Sequence, residues 1–137
     1  MSRVISLDTE GKDRARLQKA IVIAVRELAR QAEPGAAARD LAAFISLALK
    51  RIADGIDPSV AAWEKRGYWV KADRFRMDWA WAAPLGERLK QAVLAEDWEA
   101  IAGLTAEVGR HVGKVRVGAH HRQGEPWIGA FERLNAR

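Results

Sequence analysis

Between positions 63 and 81 the chain reads WEKRGYWVKADRFRMDWAW. Four of its six tryptophans, its single tyrosine and one of its three phenylalanines fall here, interleaved with Lys65, Arg66, Lys71, Arg74 and Arg76. No other segment restricts the fold as much. At about 100° per residue, Tyr68, Ala72, Phe75, Trp79 and Ala82 project from one side of a helix. Val60, Trp63, Gly67, Val70, Met77 and Trp81 project from the roughly opposite side. A helix that is apolar on two faces needs a packing partner for each. The expectation is a central helix buried on both sides, or one shared with a second copy of the chain.

The flanking segments carry conventional helix signals. A first helix is expected over about 9–33, with Asp8 or Thr9 as its N-cap, Pro34-Gly35 as its stop, and Leu17, Ile21, Ala24, Leu28 and Ala32 as the inward stripe. A second is expected over 36–54, burying Leu41, Phe44, Ile45, Ala48, Leu49 and Ile52, with Gly55 as a left-handed cap. Asp57-Pro58 marks the start of the aromatic helix, because aspartate accepts from free backbone donors and proline has none to leave unpaired. That third helix is expected to run to about residue 82 and stop before Pro84, with Gly67 bending it or admitting a close neighbour. A shorter hairpin follows over 85–95 and 98–112, Asp97 capping its second arm. Glu125-Pro126 opens a last short helix anchored by Trp127, Ile128, Phe131 and Leu134. Trp63-Glu64 and Trp98-Glu99 stand 35 residues apart, but their flanks do not match in register, so no repeat architecture is implied.

These elements define an all-α fold: five to six helices, in two antiparallel hairpins around a long aromatic central helix. With 137 residues the chain suits one domain. Within it, residues 1–108 form the helical body. Residues 109–137, a basic glycine-punctuated stretch plus the short last helix, are expected to pack on that body.

Charge separates these two parts. Residues 1–108 hold seventeen Lys and Arg against sixteen Asp and Glu, whereas residues 109–137 hold six against two, so the net +5 is +1 in the body and +4 in the tail. All three histidines also lie in the tail. Arg110, Lys114, Arg116 and Arg122 are therefore the candidate residues for contacting a polyanion such as nucleic acid. Zero cysteines exclude disulfides and thiolate chemistry. The apolar run AIVIAV at residues 20–25 is too short to cross a bilayer, and no signal peptide is evident, so a cytoplasmic protein with no membrane association is expected.

Motifs for chemistry are scarce. Gly113-Lys114 resembles the end of a phosphate-binding loop, but Val108 occupies the required first glycine and Val115 the required hydroxyl. Glu107 and His111 have helical ligand spacing, with His120 or His121 as further donors. Two such residues do not make a metal site, and no metal or cofactor is assigned. The acidic groups at Asp54 and Asp57, and at Glu96, Asp97 and Glu99, fall at helix ends where the dipole favours them. No nucleophile has a base near it in sequence, and no catalytic residue is assigned.

The resulting expectation is a non-catalytic helical interaction or scaffold protein. It forms a homodimer across the face bearing Tyr68, Phe75 and Trp79, because a doubly apolar helix in a small domain supplies a self-complementary patch. A protein partner would meet the basic tail. The alternatives are a nucleic-acid-associated protein acting through the tail, and a small enzyme with a pocket between helices lined by Arg74 and Trp81.

Overall fold

The computed structural model describes residues 7–118, 121 and 123–136, with side chains described from residue 11 onward. Seven helices occur among the described residues: α1 (Leu7–Ala29), α2 (Ala36–Asp54), α3 (Ile56–Lys65), α4 (Trp69–Asp78), α5 (Ala82–Leu94), α6 (Trp98–His111) and α7 (Ala130–Asn135). No strand is found among them, and the fold is all-α and bundle-like. No helix of the described residues is long and apolar enough to cross a membrane.

The four long helices α1, α2, α5 and α6 form an up-down-up-down bundle. Antiparallel order follows from the side-chain pairs that cross each seam. Asp13 near the start of α1 meets Arg51 near the end of α2 at 3.2 Å. Arg39 at the start of α2 meets Glu96 beyond the end of α5 at 3.5 Å. Further along that seam, at the middle of α2, the Ser46 hydroxyl donates to the Gly86 carbonyl at 3.0 Å. Ile21, Leu41, Ile45, Leu49, Leu89, Val93, Ile101 and Val108 are buried at the centre. Each contributes about 1.5–3 kcal/mol by removal from water.

Helix α2 is the hub, packing on α1, α5 and α7 and touching α3 and α6. Its closest neighbour is α5, and Gly86 makes that possible. A Cβ placed on Gly86 would lie 3.1 Å from the Leu49 Cβ, so the two backbones meet where no side chain intervenes. Helix α7 is fixed to the hub by Asp40. Its two carboxylate oxygens accept from the backbone N–H groups of Gly129 at 3.0 Å and Phe131 at 2.9 Å. A side chain of the hub thus supplies the N-terminal cap that α7 lacks locally. Leu134 is buried beneath it, and the Arg39 guanidinium lies 4.0 Å over the Phe131 ring.

Several boundaries differ from the expectation for physical reasons. Gly55 has φ −87° and is not left-handed, because it caps the end of α2 and the start of α3 at once and the chain runs on without reversing. Asp57 accordingly sits inside the first turn of α3 and makes no side-chain cap. Pro84 does not end a helix; it is the third residue of α5, where the backbone N–H has no helical partner to lose. Asp97 caps α6 as expected, accepting from the Ala100 N–H at 3.1 Å.

The largest difference concerns the aromatic segment. It forms two ten-residue helices rather than one long one. Gly67 adopts φ +83°, and the Gly67 and Tyr68 N–H groups return to the Glu64 and Trp63 carbonyls at 2.9 Å each. That pair of reversed bonds closes a Schellman ending on α3 and folds α4 back against it.

Candidate functional site

Splitting the aromatic helix changes which of its faces is covered. Trp63 on α3 and Phe75 on α4 meet edge to face, with centroids 4.7 Å apart and planes at 74°. Cations close the sandwich: Arg14 of α1 lies 4.6 Å over Phe75, and Lys71 lies 5.0 Å over Trp63. Arg76 bridges the two helices, 3.4 Å from Glu64 and 3.0 Å from Asp73. Ala72 is completely buried in the seam, and Phe75 and Trp79 pack partly against the core.

The opposite side of α4 is open. Trp69 is 63% exposed, Val70 76% and Met77 70%; Tyr68, 56% exposed, is the N-cap residue and borders this face rather than lying on it. Because α4 packs on α3 and makes little contact with the four-helix bundle, nothing within the described chain covers these groups. Of the expected interface residues, Tyr68 is exposed, whereas Phe75 and Trp79 are committed to contacts within their own chain. Full burial of the aromatic segment is thus replaced by one covered face and one uncovered one. A continuous helix would place Val70 and Met77 beside Trp63 and Val60, both of which do face inward, so helical periodicity alone gives no sign that Val70 and Met77 form a surface with Trp69. The signal was Gly67, whose left-handed φ rotates everything after it.

The turn between α4 and α5 holds a second feature. Trp79 and Trp81 stack with centroids 5.7 Å apart, and Trp81 stacks on His111 at 4.1 Å with planes 2° from parallel. Helix α6 runs antiparallel to α5 and returns its last residue to the end of the bundle where α5 begins. The tryptophan-rich turn and the basic tail are thereby brought together, although 30 positions separate Trp81 from His111. His111 remains exposed, and Arg110, Lys114 and Arg116 beside it are exposed as well. Arg110 lies 4.0 Å from one Glu107 oxygen while Arg88 lies 4.0 Å from the other. Downstream, Val112 is buried and Val115 and Val117 are partly buried against the core, so alternate residues hold the tail down and leave Arg116 outward. Arg122, the fourth expected cation, lies outside the described residues.

Arg74 is exposed on α4, and Trp81 occupies the middle of the ring stack. Neither residue lines the two grooves on the flanks of α6. One groove of about 400 Å³ lies between α1 and α6, where Leu28, Pro34, Trp98, Ile101 and Ala102 line a mostly apolar floor. The other, of about 730 Å³, is a shallow trough along α5 and α6 bordered by Glu87, Arg88, Asp97 and Glu107. Among the described residues, no group of three His, Asp or Glu side chains converges in a way that would hold a metal ion. No family model, curated protein or solved structure matches the chain.

Proposed function

We propose that the protein is a non-catalytic helical interaction module, and that it pairs with a second copy of itself through the outward face of α4. The observation that carries this reading is the exposure of Trp69, Val70 and Met77 together on one short helix, with Tyr68 exposed at its N-cap. Singly exposed apolar residues need no explanation; a contiguous group of large ones marks a contact surface.

A second copy is the occupant the pattern fits. Trp69 and Met77 stand at the two ends of α4, about 12 Å apart along its axis, with Asp73 and Arg74 between them. When two such helices dock antiparallel about a two-fold axis, each thioether meets the other copy's indole, a favourable sulfur–aromatic contact. Each Arg74 then approaches the other copy's Asp73, whose own partner Arg76 lies to one side. The four exposed side chains offer on the order of 500 Å² per copy. Pairing two copies buries at most about 1,000 Å², the lower limit for a specific interface, so the dimer should be weak and depend on concentration.

Light scattering on a sizing column, from low to hundreds of micromolar, tests this. The wild type should shift from monomer to dimer mass across that range. Met77→Glu and Trp69→Glu should stay monomeric with unchanged helix content by circular dichroism, since both positions are exposed. A wild type that stays monomeric throughout, or variants that dimerise equally well, would refute the reading.

A further inference from the structure

The tryptophan-rich turn and the basic tail are separate features of the sequence, and their meeting at one end of the bundle asks for an account independent of the α4 face. Trp79, Trp81 and His111 form a ladder of rings with an exposed imidazole as its last rung. One face of that imidazole is covered by Trp81 within 2° of parallel, and the residue is nonetheless exposed, which leaves its edges and its other face to meet a ligand. Arg110 precedes it on the same helix, and Lys114 and Arg116 follow it within two turns' length of chain; all three are exposed.

We propose that this end of the bundle is a binding site for single-stranded nucleic acid, in which an unpaired base adds the next rung on His111 and the cations hold the flanking phosphates. A flat ring ending in open solvent and bordered by positive charge matches the two recurring parts of single-strand recognition, a stacking platform and an electrostatic groove. The ladder supplies what a basic loop alone lacks. Cations attract any polyanion, whereas a stacking surface selects bases whose faces are free, which a duplex does not offer. Glu107, one turn before His111, is flanked by Arg88 and Arg110, which offset its repulsion of phosphate, while Asp78 adjoins Trp79 at the opposite end of the ladder from His111. The underlying Trp79 and Trp81 are held by the core, so the platform is formed before any strand arrives.

The test uses the full chain, with fluorescence anisotropy of labelled oligo(dT), oligo(U) and a mixed-sequence duplex of equal length at low salt, and heparin as a polyanion without bases. Both single strands should bind more tightly than the duplex and quench tryptophan fluorescence, and binding should weaken steeply as salt is raised. His111→Ala should weaken single-strand binding by at least about fivefold while leaving heparin binding within twofold of the wild type, at about the lower limit of one stacked base. His111→Phe, which keeps a flat ring, should restore single-strand binding. Arg110→Glu with Lys114→Glu should weaken strand and heparin alike. The proposal is overturned if the wild type binds no single strand at low salt, if it binds the duplex equally well, if His111→Ala leaves single-strand affinity unchanged, or if His111→Phe binds no better than His111→Ala.

Discussion

Replacing Gly86 by valine tests whether the hub is assembled as described. At the α2–α5 crossing, a Cβ at position 86 would stand 3.1 Å from the Leu49 Cβ, 3.7 Å from the Ser46 carbonyl oxygen and 3.8 Å from the Lys50 nitrogen. The first of these is tighter than ordinary van der Waals contact, and its partner is a Cβ fixed to the helix backbone, so the helices themselves must separate by a few tenths of an ångström. Alanine adds only that one carbon. Its loss is offset by the roughly 1 kcal/mol that alanine gains over glycine inside a helix, and Gly86→Ala should be nearly neutral. Valine adds two further methyl groups and gains less in propensity. Overpacking of this kind costs about 1–3 kcal/mol, and separation of the helices also loosens the buried bond from Ser46 to the Gly86 carbonyl, worth about 1 kcal/mol. The net loss should be about 2–3 kcal/mol, a large share of the stability of a domain this size. With a urea dependence of about 1–3 kcal/mol per molar, the unfolding midpoint followed by circular dichroism should fall by about 1–2 M. A valine variant that unfolds at the alanine variant's midpoint would show that α2 and α5 do not approach this closely.

Glu96 holds φ +52° in the turn between α5 and α6, where the Glu96 and Asp97 N–H groups return to Val93 and Ala92 as in the ending of α3. Glu96→Gly should therefore raise stability by about 0.5–1 kcal/mol in thermal or urea unfolding, the relief of a left-handed side chain exceeding the exposed ion pair lost with Arg39. Asp40→Ala removes both carboxylate bonds at the start of α7 and should cost about 1–2 kcal/mol. The loss should appear in hydrogen exchange as roughly tenfold faster exchange of the α7 amides, while the slowest amides of α2 and α5 change much less.

The stripes of α1, α2, α5 and α6 were readable because each is a long amphipathic segment whose core positions recur at helical spacing. Leu41, Ile45, Leu49 and Ile52 lie inward as the period requires. Periodicity also misled where it was strongest in aromatics. Residues 57–82 keep a helical rhythm throughout, and a single left-handed residue at Gly67 breaks the helix without disturbing the pattern of residue types on either side. At Pro84 the rule that proline stops helices competed with its acceptance in a first turn, and tertiary placement of α5 decided the outcome. The contact of Trp81 with His111 was beyond local reasoning altogether. It depends on how far α6 runs before its end, and on the antiparallel order of α5 and α6, which only the assembled bundle fixes.

Helix α4 turns Ala72, Phe75 and Trp79 toward α3 and the core, so its outward positions take no part in packing the interior. Positions 69, 70, 73, 74 and 77 are consequently a replaceable panel: their side chains can be randomised together without re-solving the interior. A library built there should yield mostly folded members that differ in what they bind.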